Sequence, residues 1–181
     1  LETWDLNEDE IKNTTASIVW ANDNKTIFYN RKDSTLRAYK VFKHVLGTPV
    51  TADQEVFHEA DPTFSCYVYK TRSKKYIVIG SYHTLSSEFW VLDANTPNGE
   101  WKVIQKREKN HEYNIAHFQD KWYIRTNMGA KNFRLMSTPI TATTKENWTE
   151  VIPHREDIFL QGMTLFDDYL VLTERKIKLQ S

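Results

Sequence analysis

KWYIR at residues 121–125 is one of four similar segments whose spacing decides the fold of this chain. The others are TIFYN (26–30), KYIVI (75–79) and DYLVL (168–172), and successive members begin 49, 46 and 47 residues apart. Each segment is rich in β-branched and aromatic residues and follows a turn-forming sequence such as NDNK or FQDK. This composition predicts a short β-strand that recurs at a fixed period.

Three further series of strand-like segments keep nearly the same period. One precedes the first series: SIVWA (17–21), CYVYK (66–70), YNIAHF (113–118) and GMTLF (162–166). One follows it: YKVFKHVL (39–46), EFWVLDA (88–94), FRLMSTPI (133–140) and KIKLQS (176–181). The last closes each unit: EVFHE (55–59), WKVIQK (101–106) and WTEVI (148–152). Four strands per 46–49 residues, without helical periodicity, indicate a β-propeller blade. A β-sandwich would not require four strand types in a fixed order.

The predicted fold class is therefore all-β: a partial β-propeller of about four blades, each a four-stranded antiparallel sheet. Residues 17–59, 64–106 and 112–152 are expected to form full blades, and residues 158–181 an incomplete one. Residues 1–15 are expected to end a further blade. Because both ends fall inside blades, we expect a fragment of one larger propeller domain. Joining the two partial units into a closed four-bladed ring is the alternative.

Composition excludes several classes of function. The 181 residues carry a formal net charge of zero, so no overall field attracts nucleic acid. No apolar run approaches the length of a membrane span. Cys66 is the single cysteine and permits no intrachain disulfide, which favours a reducing compartment. We therefore expect a cytoplasmic protein that binds neither nucleic acid nor membrane.

Chain topology predicts that one face of the propeller carries most of the unusual polar residues. In antiparallel blades, the loops from strand two to strand three emerge on the same face as those from strand four to the next blade. Loops on a rigid scaffold commonly carry binding residues. The candidate residues for contact on this face are Arg31, Asp33, His83, Arg107, His111, Glu112, Asn132 and Arg155.

Motifs for catalysis and metal binding are absent from the sequence. It contains no G-x-S-x-G, no HExxH and no phosphate-binding glycine loop, so we predict no catalytic residue, metal or cofactor. His117 shares a strand face with Tyr113 and Ile115, which favours a structural role. For His111 and Glu112, contact with a partner and simple solvation remain open. The predicted first strands carry no carboxylate, which disfavours a propeller glycosidase.

Three long stretches carry a resemblance to a known family: VWANDNKTIFYNRKDSTLRAYKVFKHVLGT (19–48), REKNHEYNIAHFQDKWYIRTNMGAKNFRL (107–135) and EVIPHREDIFLQGMTLFDDYLVLTER (150–175). They are similar to the oligopeptidase B branch of the prolyl oligopeptidase family of serine peptidases, whereas residues 61–105 match more loosely. The resemblance implies a seven-bladed propeller coupled to an α/β-hydrolase domain with a Ser-Asp-His triad.

The resemblance also implies a function and partners. Its members hydrolyse short peptides after Lys or Arg, and the propeller restricts access to the active site. The implied partners are a hydrolase domain of the same parent chain and short basic peptides, and the fragment itself is expected to be inactive. The candidate residues would then face the hydrolase domain and the substrate cavity. An open arc would expose apolar blade faces and self-associate. A stand-alone four-bladed adaptor that binds proteins is the alternative function.

Overall fold

The structure, a computed structural model, describes residues 10–166 and 168–177. The strands are β1 (Thr14–Trp20), β2 (Thr26–Lys32), β3 (Ala38–Val45), β4 (Gln54–His58), β5 (Ser65–Lys70), β6 (Tyr76–His83), β7 (Ser86–Asp93), β8 (Lys102–Val103), β9 (Tyr113–Phe118), β10 (Lys121–Thr126), β11 (Arg134–Pro139), β12 (Thr149–Ile152), β13 (Ile158–Leu165) and β14 (Leu170–Lys176). Two single-turn 3-10 helices, Val50–Ala52 and Lys145–Asn147, precede β4 and β12. No helix among the described residues is both long enough and apolar enough to span a membrane.

The strands form separate antiparallel sheets in simple sequence order. Blade 1 is β1-β2-β3-β4, blade 2 is β5-β6-β7-β8, blade 3 is β9-β10-β11-β12, and β13-β14 begin blade 4. In blade 3, Trp122 of β10 lies opposite both His117 of β9 and Thr138 of β11. This arrangement confirms the predicted all-β partial propeller of four-stranded antiparallel blades.

Several strand ends differ from the positions expected from the sequence. β1 begins at Thr14 and β13 at Ile158, so both inner strands extend further toward the N-terminus than predicted. β8 is only two residues long, although the backbone N–H of Ile104 continues the pairing to the Phe89 carbonyl at 2.9 Å. Lys176 ends β14 rather than starting a third strand, and the remainder of KIKLQS from residue 178 lies outside the described residues. Residues 1–15 were expected to end a further blade, but Thr14 and Thr15 belong to β1, and residues 1–9 lie outside the described residues.

The core lies between blades because each strand turns alternate residues toward its two neighbours. On β5, Cys66 and Val68 pack with residues of blade 1, including Phe28. Tyr67 and Tyr69 point the other way and pack with blade 3. Burying one such large side chain contributes about 1.5–3 kcal/mol. Stacking of this kind holds the blades in a fixed relation and so fixes the positions of their loops.

A third cluster joins blade 3 to the start of blade 4. Leu135 of β11 and Leu160 of β13 are almost fully buried, and Leu172 of β14 packs against them. The side chain of Asn132 donates hydrogen bonds to the carbonyls of Arg155 and Glu156, each at 2.9 Å. Blade 4 is therefore fixed to blade 3 both by apolar packing and by hydrogen bonds from the Asn132 side chain to the backbone.

Candidate functional site

The loop face comprises the connections that follow the second and fourth strands of each blade. Antiparallel strand order brings residues 32–38, 83–86 and 126–134 to the same side as residues 58–65, 103–113 and 152–158. All eight candidate residues belong to these connections or to the strand ends beside them. The structure separates them into residues that hold the scaffold together and residues that line a cleft.

Arg107 forms an ion pair with a buried carboxylate that sequence reasoning missed. Glu59 follows β4 and its side chain is 3 % exposed, whereas that of Arg107 is 34 % exposed. Arg107 Nη1 donates to Glu59 Oε2 at 2.9 Å and Nη2 donates to Oε1 at 3.2 Å. Ser81 Oγ and the backbone N–H of Asp61 also donate to the carboxylate. Burial opposes ionisation of Arg107, but pairing with Glu59 outweighs it and raises the Arg107 pKa.

His111 lies below the loop face, which corrects its expected place at the surface. Asn110 has a positive φ of 62°, and the His111 N–H donates to the Glu108 carbonyl at 3.2 Å, so the chain turns the histidine inward. Its Nε2 lies 2.9 Å from Thr126 Oγ1, and its ring packs 5.8 Å from that of Trp148. The ring is 5 % exposed, and burial lowers the pKa of His111. The buried His111 ring is therefore not presented at the loop face.

His117 has a packing role, as its strand position predicts. It is buried on the face of β9 that also holds Tyr113 and Ile115. Its Nδ1 lies 2.9 Å from Ser73 Oγ, and its ring stands edge-on to Trp122 at 5.1 Å. Burial lowers the pKa of His117. Among the described residues, no group of three His, Cys, Asp or Glu side chains is placed to hold a metal ion.

Two blade 1 candidates are occupied by local contacts. The Arg31 guanidinium stacks 4.7 Å from the centre of the Phe42 ring. Asp33 accepts hydrogen bonds from Thr35 Oγ1 at 2.7 Å and Arg37 Nε at 2.9 Å, which order the turn after β2. These two bonds, the first from Thr35, lower the pKa of Asp33 to about 2.

The two candidates near blade 4 join it to blade 3. Asn132 is 6 % exposed and uses its amide to bind the backbone of residues 155 and 156. Arg155 Nη2 forms an ion pair with Glu174 Oε1 of β14. Asn132 therefore supports the face from beneath, whereas Arg155 remains partly exposed at its edge.

His83 and Glu112 are brought together in a cleft between blades 2 and 3. The cleft has a volume of about 380 Å³, and its walls also include Tyr67, Tyr82 and Asn114, which sequence reasoning missed. Tyr67 reaches the cleft by crossing Gly80 of the next strand. A Cβ on Gly80 would lie 2.6 Å from Tyr67 Cζ. A glycine opposite a strand-one tyrosine was the signal for this placement, since Gly within a strand often marks such a close approach.

Comparison with known proteins identifies the family to which this arc of blades belongs. The whole chain, residues 1–181, matches the family model described as "Prolyl oligopeptidase, N-terminal beta-propeller domain". The chain belongs to the prolyl oligopeptidase N-terminal β-propeller family. Membership confirms the resemblance found in the sequence.

Individual relatives of this prolyl oligopeptidase propeller support the assignment. The chain is 38% identical over 183 residues to dipeptidyl aminopeptidase BI of Pseudoxanthomonas mexicana, and the match covers 100% of this chain and 25% of that protein. It is 30% identical over 178 residues to Protease 2 of Moraxella lacunata, covering 97% of this chain and 26% of that protein. The chain thus spans about a quarter of the length of these curated relatives.

Solved structures give the same result for the fold. Oligopeptidase B from Leishmania major superposes with a TM-score of 0.85 at 31% identity, covering 91% of this chain and 23% of that one. Oligopeptidase B from Trypanosoma brucei superposes with a TM-score of 0.86 at 28% identity, covering 93% and 24%. The matched portion in the family model is the propeller of a peptidase, so this chain is a propeller part of a peptidase family.

Proposed function

We propose that this chain is the gating propeller of a serine oligopeptidase that hydrolyses short peptides after Lys or Arg. The observation that carries the proposal is the loop face: a rigid arc of stacked blades presents a cleft and charged side chains on one side. Membership of a peptidase propeller family and similarity to proteins named Protease 2 and oligopeptidase B support it. Short peptides and a hydrolase domain in the same polypeptide are the proposed partners.

The proposed gating works by exclusion of water and of folded proteins. Acyl-transfer chemistry benefits from a preorganised site from which bulk water is excluded. A propeller that covers the site admits only small, unfolded substrates, and its movement can limit turnover. Packing between the blades makes the arc stiff enough to act as one side of such a gate.

The proposed contacts with the hydrolase domain and the substrate cavity come from the exposed candidates. His83, Arg107, Glu112 and Arg155 present polar atoms at the loop face, and Arg31 and Asp33 order its blade 1 edge. His111 and Asn132 would act from beneath by holding loops in place. We propose no catalytic residue, metal or cofactor in these residues, and no partner among nucleic acids or membranes. A cytoplasmic location completes the proposal, supported by the single buried Cys66.

The flanks of the arc explain why the chain would need neighbours. Ile18 and Trp20 of β1 are 55% and 44% exposed on the side opposite Val19, which packs toward blade 2. At the other end, Val171 of β14 is 48% exposed. Further blades of the same propeller would cover these apolar surfaces. The 181 residues alone are therefore expected to self-associate, and a monomer by light scattering would favour the closed four-bladed adaptor instead.

Peptide hydrolysis by the full-length protein tests the proposed function. We expect cleavage after Lys or Arg in short fluorogenic peptides, no cleavage of folded proteins, and loss of activity with a serine-reactive sulfonyl fluoride. The 181 residues alone should be inactive. Turnover by these residues that survives the sulfonyl fluoride would contradict the proposal.

A second candidate activity follows from one named relative. Similarity at 38% identity to a dipeptidyl aminopeptidase favours removal of dipeptides from a free amino terminus. Peptides with free and acetylated amino termini distinguish the two. An oligopeptidase cleaves both, whereas a dipeptidyl aminopeptidase cleaves only the free form.

A further inference from the structure

The cleft between blades 2 and 3 is held in a fixed shape at its base. Ser87 Oγ of β7 donates to the Tyr113 carbonyl at 2.8 Å and accepts from the Tyr113 N–H at 2.8 Å. The Tyr113 hydroxyl donates to the Gln105 carbonyl at 2.5 Å and accepts from the Phe89 N–H at 3.1 Å. Because these bonds join the two blades directly, the walls of the cleft are preorganised.

Aromatic rings form the blade 2 wall of the cleft. Tyr67 and Tyr82 stand edge-on to each other with ring centres 5.5 Å apart. Tyr82 is 49% exposed, and neither hydroxyl makes a hydrogen bond within the described residues. Burial raises the pKa of Tyr67 to about 12, so its hydroxyl keeps its proton. The faces of such rings attract cations within about 6 Å.

A carboxylate forms the opposite wall. Glu112 is the only Asp, Glu, Lys or Arg among the residues that line the cleft. Its backbone N–H donates to Asn127 Oδ1 at 2.9 Å, and Asn127 Nδ2 donates to its Oε1 at 3.4 Å, which hold the residue in place. No ion pair to Glu112 is formed within the described part of the chain. The carboxylate is therefore available to an incoming cation.

Asn114 also lines the cleft, between Glu112 and a neighbouring arginine. Its Oδ1 accepts a hydrogen bond from Arg125 Nη1 at 3.3 Å. Arg125 itself lies on the blade 4 side, where Nε donates to the Leu160 carbonyl at 2.6 Å. Burial lowers the pKa of Arg125 to about 10, and Glu112 partly opposes this effect. A carboxylate and aromatic rings in one cleft together match a positively charged group of a peptide.

We propose that this cleft is a subsite for a cationic group of a peptide, with Glu112 as its counter-charge and the rings of Tyr67 and Tyr82 as its walls. The proposal rests on the proposed function, since it assigns a substrate feature to the same loop face. An amino terminus and a basic side chain both carry the required chemistry. The cleft then selects peptides by a charge that lies away from the bond being cleaved.

Substrate pairs in the full-length protein test the subsite. One pair differs by Lys or norleucine at a position other than the residue before the cleaved bond. A second pair differs by a free or acetylated amino terminus. We expect Glu112→Gln to reduce the kcat/KM ratio of the cationic to the neutral member roughly tenfold in one pair, because it loses a charge-assisted hydrogen bond. The affected pair identifies the source of the charge.

Two further variants separate binding from folding. Glu156→Gln removes an exposed carboxylate of the loop face that lies near Lys131 and His154, outside the cleft, and should keep the wild-type ratio. Tyr82→Leu removes a ring from the cleft wall and should reduce the ratio in the same pair as Glu112→Gln. An unchanged ratio in both pairs for Glu112→Gln, in an enzyme that remains active, would overturn the subsite but leave the proposed function standing.

Calorimetry decides the subsite even without turnover. Full-length protein treated with a sulfonyl fluoride is titrated with the tripeptide amides Ala-Lys-Ala and Ala-norleucine-Ala, each with a free or acetylated amino terminus. We expect tighter binding of at least one cationic form, and loss of that preference in Glu112→Gln. Equal affinities for all four peptides would overturn the subsite. A protein that hydrolyses no peptide but retains the preference would contradict only the proposed function.

Discussion

The carboxylate of Glu59, at the end of blade 1, is bound by both terminal nitrogens of Arg107, which follows blade 2, at 2.9 and 3.2 Å. The two residues lie in successive loops of the same face and join adjacent blades. Glu59 is buried, whereas Arg107 reaches solvent and stacks 4.1 Å from the Phe64 ring. The Glu59–Arg107 pair thus holds two adjacent loops together while Arg107 stays partly exposed at the loop face.

Replacing Arg107 alone should destabilise the propeller more than replacing Arg107 and Glu59 together. Arg107→Met leaves the Glu59 carboxylate buried without its cation, and we expect a loss of about 3 kcal/mol in the free energy of unfolding. Glu59→Leu combined with Arg107→Met should recover most of that loss because no buried charge remains. Urea unfolding of the full-length protein, followed by tryptophan fluorescence, measures both. Lys131→Met, which breaks the exposed pair with Glu156, is the matched control and should have no measurable effect. A double variant as unstable as Arg107→Met would contradict this account.

The repeat of four strands per blade was predictable because alternating apolar residues and aromatic content can be recognised in each short segment of the sequence. The Glu59–Arg107 pair was not, because it joins residues 48 positions apart in different blades and neither loop identifies its partner. The burial of His111 depends on the left-handed turn at Asn110, a backbone feature that the sequence REKNHEY does not specify. Strand pairing is thus local information, whereas the depth of a loop residue depends on packing between blades.

The candidate cleft was only half predictable for the same reason. Glu112 and His83 could be identified from the sequence because they lie at strand ends in polar loops. Tyr67 and Asn114 lie inside the strand-one segments, where an aromatic or polar residue predicts only a strand face. Their place in the cleft follows from the stacking of blade 2 on blade 3 and from the missing Cβ of Gly80.

Gly80→Ala should displace the Tyr67 ring. The new Cβ would lie 2.6 Å from Tyr67 Cζ and 2.8 Å from its hydroxyl oxygen, so the ring must move. We expect destabilisation of about 1–3 kcal/mol, as for other overpacked sites, and an altered near-ultraviolet circular dichroism spectrum. Replacing Tyr67 by Leu in the same variant should relieve the clash. Gly162→Ala is the control, because nothing lies within 4 Å of its Cβ position in β13. Equal stability of Gly80→Ala and wild type would show that the ring is not held there.

Acid should destabilise the propeller through His111 and His117. Burial is the largest cause that lowers the pKa of each below the ordinary value of 6.5. The unfolded chain therefore binds protons that the folded chain does not, and stability falls as pH drops below about 6.5 until each folded-state pKa is passed. His111→Gln and His117→Gln should each reduce the dependence of the unfolding free energy on pH between about 5 and 7. An undiminished dependence in the double variant would assign the acid effect to other groups.

Asp53 should stabilise blade 1 through two donors at once. Its Oδ2 accepts from the Tyr29 hydroxyl at 2.6 Å, and its Oδ1 lies 2.6 Å from His44 Nδ1, with both the Asp53 and His44 side chains almost fully buried. Burial, and then the bond to Asp53, raise the pKa of Tyr29 to about 12, so the hydroxyl remains a donor.

Asp53→Asn places an amide N–H against one donor, and we expect a loss of about 2 kcal/mol in the free energy of unfolding. Tyr29→Phe should cost about 1 kcal/mol, and the double variant less than the sum. Asp157→Asn, an exposed aspartate whose side chain makes no hydrogen bond within the described residues, is the control. Strict additivity of Asp53→Asn and Tyr29→Phe would show that the two side chains do not act together.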